Sequence, residues 1–261
     1  MPQQARRIQA VIFDLDDTLI DWSQPQLSWE EYTRPMTDNL QSHLSAAGHQ
    51  VPEPDEFYRC MRDQVQEEWT AAREDWTGAS FDGALRRTLR VCGIDESLVD
   101  LQELMRAYAN TYQPMPGVEL YEDALEVLAE LRERGYRLGL ITNSFLPMWM
   151  RDVELRHYNL IDVFDARITS GDAGYMKPHP AIYRHMLELL DTTPEQSVFV
   201  GDRPQNDIAG ANDVGMISIL IDPPHLQRDA SEHVPDYTIE RLGELVEILE
   251  RLEIEGLEIR D

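Results

Sequence analysis

Acidic side chains follow apolar runs at two points of the chain, where they could form a cation site. Asp14, Asp16 and Asp17 stand directly after a β-branched run within VIFDLDDTLIDW, residues 11–22. Asp202 follows a second such run, SVFVG. Carboxylates that are brought together repel one another unless a cation lies among them, and a few hard oxygen ligands with room for water suit Mg2+. We therefore predict a magnesium site built on these aspartates.

The same segments have the residue types and spacing that phosphoryl transfer requires. Beside a metal ion, an aspartate can attack phosphorus to form an aspartyl-phosphate, while a second carboxyl two residues on donates and then accepts a proton. Asp14 and Asp16 have this spacing, and a turn after the strand can swing the second carboxylate over the first. A lysine and a hydroxyl beside the transferring group would offset its negative charge. Lys177, the only lysine in the chain, and Thr142 are the candidates.

The elements that must bring these residues together are predicted to be strands of a parallel sheet. Short apolar runs followed by a polar loop and a helical pattern are typical of strands buried on both faces. Besides the run before Asp14, the predicted strands are Arg137–Thr142, Ser197–Gly201 and Met216–Ile221, with Asp165–Thr169 as a weaker fifth. The predicted helices are Tyr121–Arg134, Ala181–Leu190, Asp207–Val214 and Ile239–Leu252. The predicted fold is α/β, a Rossmann-like open parallel sheet with its site at the carboxyl ends of the strands.

Residues 22–114 interrupt this alternation and show only helix signals. Ser28 and Glu31 have the spacing of a capping box, and Leu98–Tyr108 carries apolar residues at helical spacing. We predict an all-helical module at 22–114, inserted after the first strand into an α/β core formed by residues 1–21 and 115–261.

The composition argues against several classes of partner and location. The 261 residues include 49 acidic and 23 basic ones, and the net charge of -26 argues against nucleic acid or an anionic membrane as a partner. No run of about eighteen apolar residues is present, and the leader-like start at Arg6 and Arg7 is broken by Asp14. We therefore predict a soluble, unprocessed protein.

The cysteines and the single lysine bear on the cellular setting. Cys60 and Cys92 have no metal-like spacing and are interpreted as buried small apolar residues, which favours a reducing, cytoplasmic setting. An excess of acid with one lysine would suit high salt, where repulsion is screened, but a high-GC genome also replaces lysine with arginine. Both explanations stay open.

Four ordered motifs give the chain a resemblance to a known family. They are DLDDTL at Asp14–Leu19, TNS at Thr142–Ser144, KPHP at Lys177–Pro180 and GDRPQND at Gly201–Asp207. Each lies at a predicted strand end or in an adjoining loop. Together they resemble the haloacid dehalogenase-like hydrolase superfamily, in the phosphoglycolate phosphatase-like subgroup with a helical cap after the first strand. The resemblance spans nearly the whole chain.

The resemblance implies a metal site and two catalytic carboxylates. Asp14 would be the nucleophile, and Asp16 the general acid and base. The carboxylates of Asp14 and Asp202 and the backbone carbonyl of Asp16 would bind Mg2+. Asp207 would contact metal-bound water or orient Lys177.

The resemblance also implies a phosphate-binding set. The Thr142 hydroxyl and the Asn143 backbone amide would bind the phosphoryl group, with Lys177 beside it as a further catalytic residue.

Several of these residues also have a structural interpretation. Thr142 can be simply the last residue of its strand, and Asp207 can cap the helix that is predicted to begin there. His179 is interpreted as a packing or hydrogen-bonding residue. Asp17 and Thr18 are interpreted as turn and structural residues.

The motif residues discriminate among the reactions known for the superfamily. Dehalogenases lack an aspartate at the position of Asp16, and the phosphonate-cleaving relatives need a cap lysine, which this chain does not have. Phosphosugar mutases keep both aspartates and stay an alternative, as does a non-catalytic binding protein, although the intact set of site residues argues against loss of activity. The preferred reading is a Mg2+-dependent phosphatase acting on a small phosphorylated metabolite.

The cap residues leave the substrate open, from phosphoglycolate and sugar phosphates to nucleotides. Four tryptophans lie in or beside the cap, and a packing role in a cap core is preferred over a role in lining a pocket. These are Trp22, Trp29, Trp69 and Trp76. Four cap arginines could meet a second anionic group, although most are expected to be solvated. These are Arg62, Arg73, Arg86 and Arg87.

Overall fold

A parallel sheet of six strands forms the centre of the protein. The computed structural model describes residues 8–223, 225–226 and 232–258. The strands of the described chain, of which β2 and β3 lie outside this sheet, are β1 (Ala10–Phe13), β2 (Ile20–Asp21), β3 (Glu119–Leu120), β4 (Arg137–Thr142), β5 (Ala166–Thr169), β6 (Ser197–Gly201), β7 (Ile217–Ile221) and β8 (Tyr237–Ile239). The order across the sheet is β5-β4-β1-β6-β7-β8. All five predicted strands are confirmed, and β8 is an additional edge strand.

The central strands are apolar because both of their faces are covered. Every residue of β1 and β6 is buried. The register places Phe13 of β1 beside Leu140 of β4 and beside Val200 of β6. The residues that follow these three strands therefore leave the sheet together at the carboxyl ends of the strands, which form one edge, as expected for the crevice of an open α/β sheet.

Six helices flank the sheet. They are α5 (Ala124–Glu133), α6 (Met148–His157), α7 (Ser170–Ala173), α8 (Pro180–Leu189), α9 (Ala209–Val214) and α10 (Glu244–Glu258). The helix that was predicted from Asp207 begins at Ala209 instead, because a π-helical turn, Pro204–Ile208, precedes it. The last helix starts five residues later than predicted, because β8 ends only at Ile239.

Four further helices lie between β2 and β3. They are α1 (Trp29–Ala46), α2 (Pro54–Asp75), α3 (Phe81–Val91) and α4 (Leu101–Ala109). The capping box of Ser28 and Glu31 is present at the start of α1. Leu98 lies outside α4, in a short 3-10 turn, because Asp100 caps the helix that follows. The helical insertion after the first strand is thus found, while its limits at 22 and 114 stay a prediction.

Two chain crossings join the helical insertion to the sheet. They are paired as a short antiparallel ladder, in which Ile20 faces Leu120 and Asp21 faces Glu119. Over the described ranges, none of the helices combines the length and apolar character needed to cross a membrane. Arg6 and Arg7 lie outside the described residues.

Candidate active site

A buried lysine lies between two carboxylates where β1, β6 and the loop before α8 meet. The Lys177 ammonium is 2.6 Å from Asp14 Oδ1 and 2.7 Å from Asp207 Oδ1, and only 2 % of its side chain is exposed. One oxygen from each of Asp14, Asp202 and Asp207 lies within 4.8 Å of the other two. The structure therefore brings four of the predicted site residues into one buried group.

The backbone of Lys177 is fixed by two asparagines. The Asn143 side chain accepts a hydrogen bond from Lys177 N at 2.8 Å and donates one to Lys177 O at 3.0 Å. Asn206 Nδ2 donates to the same carbonyl at 2.7 Å. The Phe199 ring lies 5.3 Å from the ammonium. The Asn143 side chain is thus engaged with Lys177, and the binding of a phosphoryl group by its backbone amide stays a prediction.

Asp207 uses its two oxygens for different partners. Oδ2 accepts from Arg203 N at 2.8 Å, which closes the π-helical turn, and Oδ1 faces Lys177. A Cβ atom at Gly201 would lie 2.4 Å from Asp207 Cγ, so glycine is needed for this approach. Asp207 therefore stabilises a turn and contacts Lys177, and it does not cap α9.

Asp16 is held by three donors. Arg151 Nη2 lies 3.0 and 3.2 Å from its two oxygens, and the Trp22 indole Nε1 donates to Oδ1 at 2.9 Å. The Thr142 hydroxyl donates to Oδ2 at 3.2 Å. The hydroxyl that was predicted to bind phosphate thus faces the second carboxylate in this structure.

Sequence reasoning did not identify Arg151 and Glu154. Both lie on α6 and are buried, and Arg151 Nε is 2.9 Å from Glu154 Oε2. Their spacing of three residues is common on solvated helix faces. That spacing was the available sequence signal, and it does not show that the pair turns inward to the cavity.

The electrostatics of the two neighbouring aspartates differ. Burial raises the pKa of Asp14 well above its ordinary value, although Lys177 opposes the shift. Burial acts in the same direction on Asp16, but the Arg151 guanidinium and the hydrogen bonds to this carboxylate outweigh it and lower its pKa. Burial favours the neutral form of Lys177, yet Asp14 and Asp207 raise its pKa above the ordinary value. The structure thus favours a charged Lys177 and a charged Asp16.

These groups open into one cavity of about 530 Å3 between the sheet edge and the helical insertion. Its aromatic lining is extensive and consists of Trp22, Trp29, Tyr32, Tyr58, Trp69, Tyr108, Tyr112 and Phe145. Three of the four cap tryptophans therefore line a cavity, whereas Trp76 does not. Of the four arginines considered in the sequence, Arg62 lies at the cavity.

Asp17, His179 and the two cysteines each contact a neighbouring residue. Asp17 adopts a positive φ of 59° and its Oδ1 accepts from Trp22 N. His179 Nδ1 accepts from Ala181 N at the start of α8, and its ring stacks on Tyr175. Cys60 and Cys92 are half-buried rather than fully buried, with their sulfur atoms 3.4 Å apart.

Comparison with known proteins identifies relatives along most of the chain. The model of the haloacid dehalogenase-like hydrolase family matches residues 8–215. A glyceraldehyde 3-phosphate phosphatase from Methanopyrus kandleri is 28% identical over 94% of this chain and 98% of its own. A ribulose-1,5-bisphosphate 5-phosphatase from Halopiger xanaduensis is 30% identical over 92% and 98%. The crystal structure of a 2-haloacid dehalogenase from Pseudomonas syringae superposes with a TM-score of 0.62, at 25% identity over 94% of this chain and 99% of that one.

Proposed function

Because the chain belongs to the haloacid dehalogenase-like hydrolases, we propose that it is a Mg2+-dependent phosphatase of small phosphate monoesters. The observation that carries this proposal is the buried contact of Lys177 with Asp14 and Asp207 beside Asp202. A lysine among three carboxylates suits a site where a phosphoryl group and a cation are bound together. The phosphatase names of the relatives support the same reaction class.

The donor set fits a divalent metal ion. Three carboxylates and one ammonium leave two negative charges when all are ionised, which is the charge that one Mg2+ neutralises. The Asp14 and Asp202 carboxylates and the Asp16 backbone carbonyl would hold the ion, with Asp207 contacting it through water. When bound, the ion would keep Asp14 ionised and would offset negative charge on the phosphoryl oxygens.

The proposed reaction has two steps. Asp14 attacks phosphorus while the ester P–O bond breaks, and Asp16 donates a proton to the leaving oxygen. Water then attacks the aspartyl-phosphate, Asp16 accepts its proton, and inorganic phosphate leaves with Asp14 restored. Lys177, the Thr142 hydroxyl and the Asn143 amide would bind the phosphoryl oxygens.

The contact with Arg151 affects the two roles of Asp16 differently. The guanidinium favours the ionised carboxylate, which is the form that accepts a proton in the second step. The first step needs the protonated form. A bound phosphoryl group would place negative charge beside Asp16, which raises the pKa of a carboxyl and favours that form.

The site also bears on the alternative reactions. Dehalogenation stays disfavoured although a dehalogenase shares the fold, because Asp16 is present and is held by three donors. Fold likeness alone cannot decide between these reactions. A phosphosugar mutase uses the same two aspartates, and would differ in returning the phosphoryl group to substrate rather than to water.

We further propose that residues 22–114 act as a lid over the site. The paired segments β2 and β3 are the crossings about which the lid would move, near Asp21 and Pro116. The substrate would be a small phosphorylated metabolite rather than nucleic acid or membrane. A cytoplasmic setting, predicted from the two cysteines, belongs to the same proposal.

The test is hydrolysis of p-nitrophenyl phosphate with Mg2+ and with EDTA, at low and at molar salt. We expect metal-dependent turnover by the wild type and loss of at least about a thousandfold in Asp14→Asn, because the nucleophile is removed. Asp213→Asn, which changes an exposed aspartate on α9, is the matched control and should retain activity. Turnover that survives EDTA, or that persists in Asp14→Asn, would contradict the mechanism.

A further inference from the structure

An indole ring lies beside the carboxylate that is proposed to act on the leaving oxygen. Trp22 Nε1 lies 2.9 Å from Asp16 Oδ1, and Asp16 is the group proposed to protonate the leaving oxygen. A substituent attached to that oxygen would therefore lie close to the Trp22 ring.

The aromatic surface continues into the cap. The Trp22 and Trp29 ring centroids are 6.3 Å apart, and those of Trp29 and Tyr32 are 5.6 Å apart. Trp29 is 60 % exposed although it lines the cavity. A large aromatic side chain left in water at a cavity is typical of a surface that a ligand covers.

Two tyrosine hydroxyls of this cavity wall are already hydrogen-bonded within the protein. The Tyr32 hydroxyl donates to Gln113 O at 2.7 Å, and the Tyr58 hydroxyl pairs with the Thr33 hydroxyl at 3.0 Å. The Tyr32 proton is thus already used within the protein, which leaves this wall with fewer donors for a polyol. An aromatic leaving group would be bound mainly by contact with the ring faces of the wall, and this contact requires no hydrogen bond.

Three of the four cations that line the cavity are paired with nearby carboxylates, and the fourth, Arg203, lies at the sheet end of the cavity, 3.9 Å from Asp202. Arg62 lies 2.6 Å from Asp63, and Arg151 contacts both Asp16 and Glu154. Within the described part of the insertion, Arg62 is the cation that lines the cavity. This arrangement disfavours a second phosphate or carboxylate at the cap end.

We propose that the substrate is an aromatic or heteroaromatic phosphate monoester whose ring lies against Trp22 and Trp29. This proposal rests on the proposed phosphatase function and narrows its substrate class. It separates this chain from relatives whose names specify aliphatic sugar phosphates.

The experiment compares benzyl phosphate with ethyl phosphate in the presence of Mg2+. Both esters release a primary alcohol, so the difference between them is the ring. We expect wild-type kcat/KM to favour benzyl phosphate by at least about tenfold. In Trp29→Ala this preference should fall by about tenfold, since ring stacking on a protein aromatic side chain has that order of effect. Trp29→Phe should retain most of the preference.

Trp149→Ala is the matched control, because Trp149 is also an exposed tryptophan on a helix but does not line the cavity. It should keep the wild-type preference. Equal use of the two esters, a preference for ethyl phosphate, or a preference that Trp29→Ala leaves intact would each overturn the inference. If p-nitrophenyl phosphate and ethyl phosphate are hydrolysed and benzyl phosphate is not, the inference also fails while the phosphatase function stands. If none of the three is hydrolysed, the proposed function itself fails.

Discussion

Replacing Lys177 by methionine should destabilise the metal-free protein strongly. The ammonium is almost fully buried and contacts Asp14 and Asp207, so its removal leaves uncompensated carboxylates in the protein interior. Removing one partner of a buried ion pair costs about 3–5 kcal/mol. For a chain of this size each kcal/mol corresponds to about 2–4 °C in Tm, so we expect a fall of roughly 6–20 °C.

Thermal unfolding followed by circular dichroism at pH 8 measures this effect, in EDTA and in MgCl2. Mg2+ should raise Tm more in Lys177→Met than in the wild type, because the variant site has one more uncompensated negative charge. Arg167→Met breaks a half-buried pair with Asp152 elsewhere and should show no such dependence on Mg2+. That variant is the control.

A second substitution tests whether charge is the cause. Lys177→Met combined with Asp207→Asn removes one of the uncompensated carboxylates, so the double variant should be more stable than the single one. If Lys177→Met lies within about 1 kcal/mol of the wild type, or if the double variant is the less stable, the reasoning is refuted.

Three further predictions concern other parts of the molecule. Arg151→Met should raise the pKa of Asp16, because the guanidinium that lowers it is removed. The acidic limb of the pH dependence of kcat should then shift to higher pH, because Asp16 must be ionised to accept a proton. Arg156→Met, on the exposed side of the same helix, should leave the pH profile unchanged. Burial raises the pKa of Cys92 to about 12, so its reaction with a thiol-specific disulfide reagent at pH 8 should be about a thousandfold or more slower than that of an unperturbed cysteine, and rapid stoichiometric labelling would contradict this. Molar KCl should raise Tm by at least about 4 °C, because salt screens the repulsion from a net charge of -26, whereas a constant or lower Tm would count against adaptation to high salt.

The sheet and the grouping of the aspartates could be predicted from local sequence. Buried parallel strands are uniformly apolar, so VIF and SVFVG stand out, and topology brings their following residues to one edge. The position of Lys177 could be predicted because its motif and its uniqueness agree. The start of α9 could not, since the π-helical turn depends on the contact of Asp207 with Arg203 N.

The surroundings of Asp16 could not be predicted, because they depend on contacts across long stretches of chain. Arg151 is 135 residues away from Asp16, and an arginine with a glutamate three residues later also fits a solvated helix face. The cap tryptophans posed the same problem, since apolar periodicity does not distinguish a packed interior from a lined cavity. Three of them proved to line the cavity once α1 and α2 had been placed over the sheet edge.

The burial of Lys177 has a practical consequence for chemical labelling. All other basic side chains, apart from the histidines, are arginines, so the folded surface of the described chain offers amine-reactive dyes and crosslinkers no lysine amine. Acylation of Lys177 would therefore report transient opening of the site, and its rate could be followed by mass spectrometry without any substitution in the chain. The chain thus carries a built-in reporter of opening at the atoms proposed to perform the chemistry.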